Sequence, residues 1–485
     1  MMKKFKLVFG LALAGLFFSC EDATDIRQPG VLDAASAIQS VDDMQDALIN
    51  AYTGMFVTAE QHFTSVFTDE IRIGFDSGGQ GQSLYRFNLA SNNAGPSNVW
   101  RNNYAGIRRA NLVIEAAANI DATGDEARRD DLLGQAHAIR AWQHLQLAGL
   151  YIVDMSDDNS LGVPVVDFVT GTDYSALRNT TGETFQLIYD DLDLAASLIT
   201  ETNNVLFTQD AARALKARAA AYREDYGTAA PLAQSLLSSY PLASTSDYED
   251  VFEDTSNAEV IMKLERTLND AFDGQGSTGV SANGGWAGAK YAFTGPGVTG
   301  SPYYEVATNL YNAFDAADVR RGVNAEAFEP LPAAGRNVYT VNKYRGSEGQ
   351  PLMNDHKILR SSEMALILAE ARAAANDPSG AAGFVDQVRD ARYGSDQTTA
   401  FGSTADAWGG ILDERRKEFA FEGHRYKDLR RMGAKGNRTV DRASEDCTPF
   451  GACDLAITDT RWTWPIPLNE FNGNPALRAQ QNPGY

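Results

Sequence analysis

Residues 411–433 read ILDERRKEFAFEGHRYKDLRRMG, a stretch that is dense in charged side chains. Acidic and basic residues recur three and four positions apart, which is the spacing of neighbours on one helical face. Arginine also binds carboxylates and carbonyl groups through its planar guanidinium. We therefore predict a helix over 407–432 whose charges pair with each other in a packing network and serve no catalytic role. The charges concerned are Arg415, Arg416, Glu418, Glu422 and Arg425.

Helical patterns dominate the rest of the chain. Apolar residues recur at spacings of three and four, which predicts amphipathic helices. These patterns cover 41–56, 103–119, 130–151, 184–199, 209–223, 227–238, 361–376 and 381–392. Residues 209–238 are rich in small side chains and break at 225–227, which resembles a tetratricopeptide hairpin of two closely packed helices. The predicted fold class is therefore mostly α, with tetratricopeptide-like helix pairs and few short strands.

Residues 272–304 have a different composition, because glycines there alternate with aromatic residues. So many glycines oppose a helix, and we predict an irregular, loop-rich region. The C-terminal residues are rich in proline and asparagine and predict an extended tail packed against the body. The expected parts are a signal peptide at 1–19, a lipidated tether at 20–40 and one body at 41–485, made of a helical part (41–271) and a ligand region with C-terminal helices (272–485).

Several motifs resemble the SusD/RagB family of outer-membrane lipoproteins. They are VWRNNYAGIRRANLVIEA at 99–116, SSEMALILAEARAAAND at 361–377, the charged stretch 411–433 and WPIPLNEFNGNPALRAQQNPGY at 464–485. They occur in the order expected of the family and span nearly the whole chain. The resemblance implies a helical fold with tetratricopeptide-like pairs, binding of a glycan, and a SusC-like TonB-dependent transporter as partner.

The first twenty residues, MMKKFKLVFGLALAGLFFSC, indicate the compartment. Three lysines precede a short apolar run, which is typical of a secretory signal and too short to span a membrane. Cys20 directly follows a small residue, as in a lipobox, so we expect it to be lipidated and to anchor the chain. Glu21 and Asp22 follow, which resembles the start of surface-exported lipoproteins. The expected location is the cell surface, on the outer membrane.

The overall charge bears on the choice of partner. The formal net charge is −22, from 42 basic and 64 acidic residues. Nucleic acid is therefore not expected as a partner, because phosphate binding requires a basic face. Of the three cysteines, Cys447 and Cys453 lie six residues apart, and we favour a small disulfide loop over two free thiols.

Aromatic residues in the glycine-rich region are the first candidates for ligand binding. Trp286 lies in GGWAGAKYAF, where flanking glycines are expected to leave its ring uncovered and available for stacking on a sugar. Tyr291 extends this predicted platform. Lys290 and Asp273 are the only charges in 272–304, which favours a neutral glycan.

The family resemblance adds further candidates. Trp100 and Asn103 match by position a Trp and an Asn of the family's starch-binding arc, although Trp100 precedes a helix pattern and is equally suited to the core. Arg86 and Asp69 precede Trp100 and are candidates to pair sugar hydroxyls or an acidic sugar, with a surface salt bridge as the alternative.

An enzyme is not predicted. None of the phosphate-binding, nucleophile-elbow or zinc-protease motifs occurs, and the five histidines lack metal-ligand spacing. No cofactor and no metal are therefore expected. Two further alternatives remain open, which are peptide capture by a protein of the same fold and a tetratricopeptide scaffold that binds protein partners.

Overall fold

A computed structural model describes residues 38–75, 77–171, 174–270, 285–291, 303–328 and 336–485. Within these ranges helices predominate, which confirms the predicted fold class. The helices are α1 (Val41–Tyr52), α2 (Thr58–Phe67), α3 (Gln82–Tyr85), α4 (Ala94–Ala117), α5 (Glu126–Tyr151), α6 (Thr181–Leu198), α7 (Gln209–Tyr222), α8 (Tyr226–Ser239), α9 (Thr245–Phe252), α10 (Ala287–Tyr291), α11 (Thr308–Ala313), α12 (Arg320–Asn324), α13 (Ser361–Ala374), α14 (Pro378–Tyr393), α15 (Thr404–Glu418), α16 (Arg425–Met432), α17 (Ser444–Cys447) and α18 (Glu470–Gly473).

Successive long helices pack against each other in pairs, among them α4 with α5, α7 with α8 and α13 with α14. The pair α7–α8 shows why these sequences permit it. The buried face of α7 consists largely of alanines, which allow close approach of a second helix. The turn is sharp, because Glu224 adopts a left-handed conformation (φ 63°) and the Asp225 side chain accepts a hydrogen bond from the Thr228 amide at 3.1 Å. The predicted hairpin is confirmed.

The strands are short and form two-stranded antiparallel sheets. They are β1 (Ile71–Ile73), β2 (Val260–Leu264), β3 (Tyr304–Val306), β4 (Ala325–Phe328), β5 (Val338–Val341), β6 (Gly346–Ser347), β7 (Gln350–Pro351) and β8 (His356–Arg360). The pairs β1–β3 and β2–β8 join segments that lie far apart in the sequence. The pair β1–β3 holds the region after α9 against the N-terminal helical part.

The prediction of one continuous helix over 407–432 is wrong. The chain forms α15 and α16 with a turn between them at 419–424. Phe421 (φ 67°) and Gly423 (φ 88°) adopt left-handed conformations there. An isolated left-handed residue interrupts a right-handed helix, and glycine adopts it without steric cost.

The charges of this stretch do form a packing network, as predicted, but most partners come from elsewhere in the chain. The Glu418 carboxylate accepts hydrogen bonds from Arg360 at 2.7 Å and from Arg392 at 2.8 Å, and all three side chains are buried. Burial raises the pKa of Glu418, but the charges of Arg392 and Arg360 outweigh that effect and hold the pKa well below its usual range. Within the stretch itself, Arg415 pairs with Asp428 at 2.7 Å. Charge pairing therefore joins distant segments rather than turns of one helix.

The C-terminal tail packs against the body, as predicted, although it contains α18 and short 3-10 helices. Trp464 is fully buried, and its amide donates to the Leu150 carbonyl at 2.8 Å. The Asn482 side chain donates to the Tyr151 carbonyl at 2.8 Å. The favoured disulfide between Cys447 and Cys453 is present.

Candidate ligand-binding cleft

An open cleft of about 460 Å³ lies between the first half of α4, the connection that follows α5, and the C-terminal tail. We call it the Trp100 cleft. Its lining residues are Trp100, Tyr104, Ala105, Arg108, Pro164, Val166, Thr170, Tyr174, Ser175, Ala176, Asn469, Glu470, Gly473, Asn474 and Leu477. A cleft of this size, mainly apolar with a few polar groups, is typical of small-molecule binding sites.

Two aromatic rings on α4 are held in fixed positions. Trp100 and Tyr104 lie one helical turn apart, with ring centroids separated by 4.9 Å. Trp100 also contacts Tyr151 edge-to-face at 4.9 Å. The Tyr104 hydroxyl donates to the Pro164 carbonyl at 2.9 Å. Because helix packing and hydrogen bonds fix both rings, this wall of the cleft is rigid.

A third ring lies in the connection that follows α5 and is solvent-exposed. Tyr174 has an exposed fraction of 42%, and its ring packs edge-to-face on Phe168, which is 43% exposed, with centroids 5.2 Å apart. Two large aromatic side chains with this exposure in one connection are unusual for a surface that binds nothing. Tyr174 is therefore the ring most accessible to a ligand in this cleft.

The C-terminal tail supplies polar groups to the cleft. Asn469, Glu470 and Asn474 line it, and the Asn474 amide donates to the Ala176 carbonyl at 2.6 Å, which joins the tail to the connection that follows α5. Burial raises the pKa of Glu470, and a hydrogen bond from Trp100 opposes that shift. Amide and carboxyl groups beside ring faces can pair with the hydroxyls of a ligand whose apolar face lies on the rings.

Comparison with protein families places the chain. A family model described as "Starch-binding associating with outer membrane" matches residues 23–220, and one described as "SusD family" matches residues 307–485. The chain belongs to the SusD/RagB family. Both matched segments contribute walls to the Trp100 cleft of this family member.

Relatives of this SusD/RagB protein align over most or all of its length. SusD-like protein P2 of Formosa agariphila is 26% identical, with full coverage of both chains. A SusD superfamily protein from Bacteroides vulgatus superposes with a TM-score of 0.77 at 25% identity, covering 92% of this chain and 99% of the other. Surface glycan-binding protein A from Bacteroides fluxus shares the fold, with a TM-score of 0.70 at 21% identity, covering 92% and 99%.

The exposure predicted for Trp286 and Tyr291 in this SusD/RagB protein is wrong. Both residues are 4% exposed. Trp286 packs against Ala289 and Met353, and the Tyr291 hydroxyl lies 3.0 Å from that of Ser65. Neither residue lines the Trp100 cleft.

The glycines beside Trp286 explain the error. A Cβ at Gly288 would lie 2.4 Å from the Tyr344 carbonyl oxygen, so only glycine permits this approach of two backbones. Gly288 therefore brings this segment, with its aromatic residues, against the interior. Gly288 also lies within α10, a short helix that the glycine content did not predict.

The other predicted residues have different environments. Trp100 borders the cleft but is only 3% exposed and packs in the main hydrophobic core. The Asn103 amide is buried and donates to the Val99 carbonyl of its own helix at 2.7 Å. Asp69 is fully buried, and Arg425 donates to it at 2.8 Å. Neither Asn103 nor Asp69 is available to sugar hydroxyls. Arg86 is exposed above the Phe450 ring, outside the cleft, and its role in binding stays a prediction.

Several cleft residues were not predicted. Tyr174 lies in a connection without a motif, and Asn469 and Asn474 lie in a tail that the sequence presents only as a docking segment. Their shared location arises because the tail passes beside α4, and the only sequence signal for it is the NEFNGNP run at 469–475.

The described ranges contain neither a metal-ligand cluster nor a membrane-spanning helix. Within the described ranges, histidine, cysteine and acidic side chains form no cluster suited to a metal ion. No helix in those same ranges is both long and apolar enough to cross a membrane. Cys20, the predicted lipidation site, lies outside the described residues.

Proposed function

We propose that this protein is a lipid-anchored, cell-surface glycan-binding protein that captures an oligo- or polysaccharide in the Trp100 cleft. The observation that carries the proposal is the combination of ring faces with amide and carboxyl groups in one open cleft. Sugars present flat apolar faces bordered by hydroxyls, so rings and hydrogen-bonding groups side by side suit them. The descriptions of relatives as starch-binding and glycan-binding support the same ligand class.

Each wall has a distinct role in this proposal. Tyr104, held against the buried ring of Trp100, forms a rigid wall on α4, and Tyr174 stacks on the sugar from the connection that follows α5. Asn469 and Asn474 donate to or accept from the ring hydroxyls. Each stacked ring contributes roughly 1 kcal/mol beyond area burial, by analogy with aromatic pairs, so a cleft with two accessible rings favours moderate affinity and reversible capture.

Handover and anchoring complete the proposal. A SusC-like TonB-dependent transporter is the expected recipient, as the family resemblance implies, and acyl chains on Cys20 keep the protein at the outer membrane. Incorporation of labelled palmitate into the expressed full chain tests the anchor. We expect incorporation to be lost in Cys20→Ser and retained in Cys453→Ser, whereas label in Cys20→Ser would contradict a lipidated Cys20.

Affinity electrophoresis tests the ligand. The full chain, purified in detergent, is run through gels that contain single polysaccharides, with Tyr174→Ala alongside. Tyr393→Ala is the matched control, because Tyr393 is a half-buried tyrosine outside the cleft. We expect retardation by at least one glycan, an affinity about tenfold lower in Tyr174→Ala, and no change in Tyr393→Ala.

Other outcomes separate the alternatives. Release of reducing ends from the retained glycan would indicate an enzyme instead of a binding protein. Retardation that Tyr174→Ala leaves unchanged would place the site elsewhere. If no glycan retards the chain but a peptide mixture binds it, the peptide-capture alternative replaces this proposal.

A further inference from the structure

Arg108 differs from the other arginines near the cleft. It lies on α4, lines the Trp100 cleft and is exposed. Its neighbours are engaged: Arg101 donates to the Asn98 side chain at 3.1 Å, and Arg109 donates to the Thr53 hydroxyl at 3.4 Å. Within the described ranges, Arg108 makes no hydrogen bond and no ion pair. Its guanidinium is therefore directed to solvent at a cleft wall.

In the part of the chain that the structure describes, Arg108 lacks an acidic partner although the chain is rich in acidic residues. The chain carries a net charge of −22, so acidic side chains to pair with a surface arginine are plentiful. Glu470 is the one carboxylate among the described lining residues, and it forms no ion pair with Arg108. Beside ring faces, the cleft thus presents a guanidinium that pairs with no described residue.

We propose that the Trp100 cleft selects a glycan with an anionic substituent, and that Arg108 binds this substituent. The proposal rests on the glycan-binding function proposed above. A guanidinium matches the two oxygens of a uronate carboxylate or of a sulfate ester in the same forked geometry. Both groups are therefore covered by this chemistry, and experiment distinguishes them.

This inference departs from the neutral glycan that the sequence favours. That expectation comes from the few charges of residues 272–304. Trp286, the residue of that segment that we predicted to stack on a sugar, lies outside the cleft. The charge of the cleft itself is a better guide, because attraction between exposed charges fades over roughly 8 Å at physiological salt.

Paired variants of the full chain in detergent test the proposal. Arg108→Gln removes the cleft cation. Arg101→Gln removes the same charge seven residues away on the same helix, roughly 10 Å along its axis, and Arg101 does not line the cleft. The probes are alginate and polygalacturonate as uronates, carrageenan and fucoidan as sulfated glycans, and starch, laminarin, xylan and agarose as neutral ones.

We expect retardation of the wild-type chain by an anionic probe. Arg108→Gln should weaken that binding at least tenfold, whereas Arg101→Gln should weaken it less than twofold. Raising NaCl from 50 to 500 mM should weaken binding of the anionic probe by the wild-type chain more than binding by Arg108→Gln. Carboxyl reduction or desulfation of the retained probe then shows which anionic group Arg108 binds.

Retardation by neutral probes alone, or equal binding of an anionic probe by wild type and Arg108→Gln, would overturn the inference and leave the glycan-binding function standing. Equal losses of binding in Arg108→Gln for neutral and anionic probes would also overturn it, because Arg108 would then contact every glycan without regard to charge. Failure of every probe to bind would remove both proposals together.

Discussion

The ion network around residues 411–433 and the Trp100 cleft treat arginine differently. In the network, the buried guanidinium groups of Arg360 and Arg392 contact carboxylates, whereas Arg108 in the cleft contacts solvent. The aromatic rings divide in the same way, because Trp286 is enclosed and Tyr174 is exposed. The two regions use the same residue types, but the first satisfies them internally and the second leaves them for a ligand. Residue type alone therefore does not identify a binding site. A side chain of that type that has no partner within the protein does.

The largest expected effect concerns the buried ion network. Glu418→Gln removes the buried carboxylate that Arg360, Arg392 and Arg320 share, and leaves each of these buried guanidinium groups with one carboxylate fewer. We expect a loss of about 3–5 kcal/mol in the free energy of unfolding, measured by denaturant titration. Glu445→Gln, the same change at an exposed position, serves as control. A loss below about 1 kcal/mol would mean that the network is not a source of stability.

Trp286→Ala is expected to lower stability and to leave glycan binding unchanged. Removing a buried tryptophan leaves a cavity beside Ala289 and Met353, and should lower the free energy of unfolding by about 3 kcal/mol. The glycan should retard the folded fraction of this variant as much as it retards the wild type. Loss of glycan binding in a variant that remains folded would restore Trp286 as a ligand residue and erase the contrast with Tyr174.

Stability should depend on pH through Glu70. Burial, the largest cause, raises the pKa of this fully buried carboxyl to about 7, above its ordinary value of 4.5. The folded state therefore holds a proton that the unfolded state releases, so this contribution is complete below pH 4.5 and is lost as pH rises through 7.

The loss between pH 5 and 7 should be on the order of 2 kcal/mol. Thermal unfolding measured across this range checks the sign, with Glu70→Gln as the variant that should show a flatter profile. A wild-type profile that rises with pH to the same extent as that of Glu70→Gln would contradict a protonated Glu70.

The smallest effect on stability is expected in the cleft. Tyr174→Ala removes an exposed ring and should change the free energy of unfolding by less than about 1 kcal/mol. Its affinity for the retained glycan should nevertheless fall about tenfold, which corresponds to roughly 1.4 kcal/mol. Isothermal titration calorimetry and denaturant titration on the same sample compare the two quantities. A large loss of stability with unchanged affinity would assign Tyr174 to packing.

Parts of the site were predictable and parts were not. Trp100 was indicated because it belongs to a motif with a fixed place at the start of α4. Asp69 was misread, because a lone carboxylate in the sequence gives no sign of Arg425, which lies more than 350 residues away and pairs with it. Tyr174, Asn469 and Asn474 were missed because they meet only when the tail packs beside α4.

By itself, the sequence determined the helical fold class, the α7–α8 hairpin and the family, because helix periodicity, small residues and local motifs are properties of neighbouring positions. Tertiary structure alone decided which charges are paired, which rings are enclosed and where the cleft opens. The physical reason is that burial and ion pairing depend on contacts between distant segments. Gly288 illustrates this, since its lack of a side chain could mean an open loop or a close backbone approach until Tyr344 is seen beside it.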